Sequence, residues 1–101
     1  MKETKSINNV VIRLTDERWQ HILEAHIELE NQIDEVLKAI SYPDFICKGT
    51  NEEFLAAVYK YENKVLVVVY KEEIEDGFII TAYFTNKMEK LLKKEIIWRK
   101  Q

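Results

Sequence analysis

Glycine and proline are scarce in this chain, two and one respectively among 101 residues, and there is a single cysteine. So few chain-breakers exclude collagen-like and low-complexity architectures. Cys47 alone allows no intramolecular disulfide, and no set of cysteines and histidines has the spacing of a zinc site. Serine occurs only at Ser6 and Ser41, so a Ser-His-Asp triad has little to be built from. Glycine-rich phosphate loops, His-Glu-x-x-His and the nucleophile elbow are all missing. The apolar run Val65–Tyr70 is six residues long, far short of the ~20 that span a bilayer. No apolar stretch follows Met1–Lys5, so no signal peptide is expected. These absences predict one domain over residues 1–101 in a reducing, cytoplasmic setting, with no membrane, no metal and no cofactor.

Charge is abundant, at 33% of residues, and unevenly placed. Residues 1–84 carry 9 basic and 16 acidic side chains, a net of −7, whereas residues 85–101 carry 6 and 2, a net of +4. A solvated basic tail explains this most simply, and the acidic body argues against broad nucleic-acid coating. An acidic helical region also disfavours a DNA-binding helix-turn-helix.

Residues 1–9 are polar and are expected to fray. Val10-Val11-Ile12 suggests a short strand leading to Thr15, a good N-cap followed by Asp16 and Glu17. Trp19, Ile22, Leu23 and His26 recur at i, i+3, i+4, i+7 and predict a helix with one inward stripe. Asn31 caps a second expected helix, with Ile33, Val36, Leu37 and Ile40 as its stripe and an end at Tyr42, before Pro43. Beyond this point the pattern becomes β. Phe45–Cys47, Phe54–Tyr61, Val65–Tyr70 and Phe78–Phe84 read as strands, with turns at Glu62-Asn63 and Asp76-Gly77. Val65–Tyr70 is apolar on both alternating faces and reads as central. Asn86 suits a short basic helix through Leu92, and Ile96–Trp98 fits either helix or a last edge strand. The fold class expected is α+β, with N-terminal helices packed on a roughly four-stranded antiparallel sheet.

Two features could carry chemistry. Strand side chains alternate, so in Phe78–Thr85 the even positions Phe78, Ile80, Ala82 and Phe84 are expected to face the helices. The odd ones place the hydroxyls of Thr81, Tyr83 and Thr85 in a row on the other face. Such residues also suit any exposed strand, by β-propensity alone. His26 lies on the apolar stripe near the end of its helix, where a cation is favoured, and histidine is the side chain suited to proton exchange near neutral pH. A histidine bonded to a carbonyl at the core's edge would look the same in sequence. His21 points to another side, and Cys47 reads as a small buried residue.

The combined pattern resembles the phage-type barnase/EndoU/colicin/RelE-like nuclease family. The resemblance lies in residues 11–30 (VIRLTDERWQHILEAHIELE), in Val65–Tyr70 followed by Gly77–Thr85, and in Ile97-Trp98, and so covers residues 10–99. It implies a barnase/RelE-like α+β nuclease domain and a metal-independent ribonuclease, often in phage or toxin settings. It implies RNA as substrate and an antitoxin or other protein as partner. It also implies His26 as the helix histidine, with His21 a weaker match, and Thr81, Tyr83 and Thr85 as the sheet hydroxyls. Ala25 stands where relatives usually have arginine, and Ile27 where they usually have proline. RNA carries its own nucleophile, the 2′-OH, so such an enzyme supplies a base, an acid and donors to the phosphate oxygens. Arg13 and Lys60 are the candidate cations for substrate binding. The alternative is a degenerate relative that binds RNA or protein without cutting.

Overall fold

A computed structural model describes residues 1–74 and 76–101 of the chain. Its seven strands are β1 (Lys2–Lys5), β2 (Val11–Leu14), β3 (Phe45–Lys48), β4 (Phe54–Tyr59), β5 (Val65–Glu72), β6 (Gly77–Thr85) and β7 (Ile96–Arg99). The helices are α1 (Asp16–Ala25), α2 (Ile33–Ser41) and α3 (Met88–Leu92), with a single 3-10 turn at Ile27–Leu29. The strands form one sheet in the order β1-β2-β6-β5-β4-β3-β7. All pairings are antiparallel except β2 with β6, which is parallel.

The expected four-stranded antiparallel sheet is therefore corrected to a seven-stranded mixed sheet with three short helices. The added strands are at the margins. Residues 2–5, expected to fray, pair along Val11–Leu14. The Ser41 hydroxyl at the end of α2 donates to the Lys5 carbonyl at 2.6 Å and sits 2.6 Å from the Thr4 hydroxyl, tying β1 down. At the far edge β7 pairs with β3, and the amide of Lys100 donates to the Asp44 carbonyl at 3.0 Å. Both outer strands are four residues long; β1 (KETK) is polar and carries no hydrophobic period, whereas β7 also packs Trp98 and Ile96 against the two cores.

Local signals explain the inner elements. The Thr15 hydroxyl accepts from the amide of Arg18 at 3.1 Å and starts α1. Asn31, expected as a cap, has φ of 68° and ends the turn before α2, which starts from Gln32 without a side-chain cap. Pro43 follows the C-cap Tyr42 and stops α2. Glu62 and Asn63 have φ of 56° and 62°, the mirror-image turn that matches strand twist, and β4 and β5 pair across it from Tyr59↔Val65 onward.

β5 is central because both sheet faces are covered. Leu66, Val68 and Tyr70 face a core built with Ile22, Leu29, Val36 and Ile40 from the helical layer. Val65, Val67 and Val69 face a smaller core with Phe45, Cys47, Leu55 and Leu91. Strand β6 carries a bulge: Val69 pairs with Thr81 but Tyr70 pairs with Ile79, so Ile80 is extra. The bulge reverses parity and overturns half of the expected inward row. Ile79, Ala82 and Phe84 pack on the helical side, while Ile80 packs in the second core and Phe78 is 42% exposed.

Two stability outcomes follow from this packing. Val67 and Val68 are both 0% exposed, on opposite faces, so each truncation to alanine should cost about 1–3 kcal/mol in denaturant unfolding. Gly77 has no positive φ, but a Cβ there would run into the Lys71 carbonyl and come within 2.6 Å of Ile12 Cδ1. Gly77→Ala should therefore destabilise at least as much as either valine truncation, and an unchanged denaturation midpoint would contradict this account of the β2–β6 junction.

Candidate functional site

The parallel pairing of β2 with β6 covers only Ile12↔Gly77 and Arg13↔Phe78. From Ile79 onward β6 has a described strand neighbour on one side only, β5. Because β2 ends at Leu14 and Thr15 turns the chain into α1, the helix runs beside that free edge. Its amphipathic stripe packs Ile22 into the helical-side core. The helix stops at Ala25, and the amide of its C-cap, His26, donates to the Ile22 carbonyl at 2.8 Å.

This places His26 at the edge of β6. Its ring centroid lies 5.9 Å from that of Tyr83, with the planes tilted by 36°. The side chain keeps 32% exposure, so the imidazole is supported by the aromatic ring and still open to solvent. Nδ1 lies 3.7 Å from Glu28 Oε2, within ion-pairing reach when the ring is protonated. His21, by contrast, is 60% exposed and faces Glu24 on its own helix.

Thr81, Tyr83 and Thr85 share the sheet face opposite α1 and α2, the face on which α3 packs Leu91 and Met88, and pair with Val69, Val67 and Val65. Neighbouring members of this row are ~7 Å apart by strand geometry. Burial, and secondarily the nearby Cys47 thiol, raise the Tyr83 phenol above its ordinary range. The phenol therefore keeps its proton at neutral pH and is suited to donate to an anion. The Thr85 hydroxyl accepts from the amide of Lys87 at 3.1 Å, so part of its bonding capacity serves the turn into α3. Cys47 is buried, its thiol directed at the Leu91 carbonyl at 3.5 Å, and burial raises its pKa. That thiol is a packing group and not a nucleophile.

The candidate cations do not join this group as free charges. Arg13 Nε donates to Asp76 Oδ2 at 3.0 Å, and its Nη1 lies 4.0 Å from Glu3 Oε2. It lines an open cleft of about 450 Å³ in which Arg13 and Arg18 are balanced by Glu73 and Asp76. Lys60 reaches Glu35 on α2, Nζ to Oε2 at 3.1 Å, on the helical side of the sheet. Sequence reasoning missed Glu28, which lies past the helix end where no period predicts direction. It also missed Lys64, whose ammonium sits 5.6 Å from the Phe84 ring centroid and 6.0 Å from that of Tyr61. The signal for Lys64 was its place directly after Tyr61 and the Glu62-Asn63 turn.

Among the described residues no helix is long and apolar enough to cross a membrane, and no group of three or more His, Cys, Asp or Glu side chains could hold a metal ion. The Lys60–Glu35 contact gives a clean test of local electrostatics. The hydrogen bond from Lys60, then its charge, hold the Glu35 carboxyl below its ordinary value of 4.5. The contact therefore stabilises the fold above that value and loses its effect as pH falls through the folded-state pKa. Lys60→Met should move the Glu35 carboxyl resonance upward in an NMR pH titration and weaken the pH dependence of stability on the acid limb. A titration identical to the parent's would contradict the pairing.

Compared with protein-family models, with curated proteins and with solved structures, the chain matches none.

Proposed function

We propose that the chain is a ribonuclease that cleaves RNA by attack of the substrate's own 2′-OH, in line with the family resemblance of residues 10–99. The observation that supports this most is the part-exposed His26 imidazole set against the Tyr83 ring at the edge of β6, with centroids 5.9 Å apart. His26 takes the proton of the 2′-OH as the oxygen attacks phosphorus, and the 5′-oxygen leaves with a proton returned by the imidazolium or by water. Glu28, on the Nδ1 side, supports the imidazolium that forms and leaves Nε2 for the substrate. Tyr83 and Thr81 donate to the non-bridging phosphate oxygens, where negative charge grows in the transition state. The free Cys47 thiol suits a reducing compartment, so we place the reaction in the cytoplasm.

A second reading has one specific observation behind it. Arg13 and Lys60 are each tied to a carboxylate, and the family's usual arginine is replaced by Ala25. A chain so placed could bind RNA, or a protein partner such as an antitoxin, without cutting.

The test is cleavage of single-stranded RNA by the purified protein in EDTA. The expected product ends in a 2′,3′-cyclic phosphate, and DNA, which lacks the 2′-OH, should be spared. His26→Ala should lower the rate by about a hundredfold, the scale of losing a general acid–base. Tyr83→Phe should lower it by about a hundredfold as well, the loss of one donor to the developing charge. His21→Ala should leave the rate unchanged. Full activity in His26→Ala would refute this site, and folded protein that binds RNA but cuts none would favour the second reading.

A further inference from the structure

An open sheet offers a partner its outer edges, where one side of the strand backbone is unbonded. At one margin β1 is met by α2, whose Ser41 hydroxyl takes the Lys5 carbonyl. The free stretch of β6 is flanked by α1. The outer side of β7 is different, because among the described residues its backbone bonds all run toward β3. The amide of Lys100 donates to the Asp44 carbonyl at 3.0 Å, so the neighbouring Arg99 turns its amide and carbonyl outward. An open groove of about 680 Å³ follows this side and is lined by residues 96–101.

Side chains around this edge set its sign. Residues 93–100 carry Lys93, Lys94, Arg99 and Lys100 against Glu95 alone, a net of +3. Lys100 Nζ lies 3.6 Å from Asp44 Oδ1. Lys93, Lys94 and Arg99 have no carboxylate within ion-pairing distance among the described residues. Ile46 pairs with Trp98 and Cys47 with Ile96, so Ile97 is the extra residue of a bulge, and it is 42% exposed. Trp98 packs against the helical-side core, so the strand presents backbone and cations rather than an aromatic platform for a base. A second copy of the chain would set these cations against their own kind, and bulges and lysines are common means of keeping edges from pairing in that way. The occupant that fits is an extended segment bearing Asp and Glu.

We infer that the outer edge of β7 docks an extended acidic segment of a partner protein, which joins the sheet as an eighth strand. The segment's backbone bonds to Arg99, an apolar side chain rests against Ile97, and its carboxylates meet Lys93, Lys94 and Arg99. In the sheet order β7 is four strands from β6, ~19 Å across the sheet, so a segment bound here leaves the His26–Tyr83 edge open. Docking at β7 and RNA chemistry at β6 therefore stand or fall separately.

The probe is a labelled, end-blocked octapeptide that alternates Glu with Val, with a Lys/Val peptide as its counterpart, and binding to the full chain is followed by fluorescence anisotropy. The acidic probe should bind, more weakly as salt rises, and the basic one should not. Hydrogen exchange at the Arg99 amide should slow at saturating acidic probe, because that amide gains a carbonyl acceptor, while the NMR signals of His26 and Tyr83 stay in place. Arg99→Pro removes the outward amide without removing a bond of the fold, since proline is accommodated where an edge N–H faces solvent. With the unfolding midpoint of the parent, it should weaken binding by about tenfold or more, the scale of one net hydrogen bond and a lost charge. Arg99→Gln keeps the amide and should lose less. If Arg99→Pro does not fold, exchange at Arg99 in the parent decides alone. No binding of the acidic probe, equal binding of the basic one, or unchanged Arg99 exchange at saturation would overturn the docking strand. So would a dimer of the chain that protects the Arg99 amide, or an RNA hexanucleotide that shifts Arg99 where the peptide does not.

Discussion

Two parallel residue pairs, Ile12↔Gly77 and Arg13↔Phe78, decide how the rest of this molecule is arranged. They fasten the N-terminal hairpin to the sheet and make the sheet mixed. They are possible only because residue 77 lacks a side chain, since a Cβ would strike the Lys71 carbonyl and the Ile12 side chain. Equally important is how soon the pairing stops. With β2 ended at Leu14 and α1 begun at the Thr15 cap, the remaining edge of β6 is left to a helix, and the end of that helix delivers His26 to Tyr83. A longer β2 would have covered the edge with backbone hydrogen bonds and left no place for an imidazole.

Where one side chain dictates a backbone shape, sequence and structure agree. Thr15 caps α1, Pro43 closes α2, Glu62-Asn63 turn β4 into β5, and Val65–Tyr70 lies buried on both faces. The disagreements share a different cause. β1 is the polar stretch KETK, with no apolar alternation to read, and β7 has only four residues, too few for Ile96–Trp98 to decide between helix and edge strand. Counting only strands with a readable period produced a sheet of four. The bulge at Ile80 is likewise invisible to strict alternation: one extra residue exchanges the faces of Phe78 and Ile79 while keeping those of Ala82 and Phe84.

The site shows the same division. The shared face of Thr81, Tyr83 and Thr85 was legible because the row lies C-terminal to the bulge, and the place of His26 because it caps the helix whose stripe it continues. Which charges answer which was not legible. The carboxylates that hold Arg13, Lys60 and His26 come from Asp76, Glu35 and Glu28, and for the first two the contact spans 63 and 25 positions. Such pairings are made by the finished fold and change a candidate phosphate ligand into a structural cation. Lys64 is likewise engaged, its ammonium set against the rings of Phe84 and Tyr61.

The central claim is that the edge of β6 is a phosphate site at which His26 exchanges a proton and Tyr83 donates a hydrogen bond. Its most direct test is an NMR titration of the parent protein with a 3′-mononucleotide, a product-like ligand, following the imidazole signals of both histidines and the ring signals of Tyr83. The account predicts that His26 and Tyr83 shift together along one saturating curve while His21 does not move. Shifts confined to His21 or to the acidic helical surface, or no shift at His26 at saturating nucleotide, would contradict it.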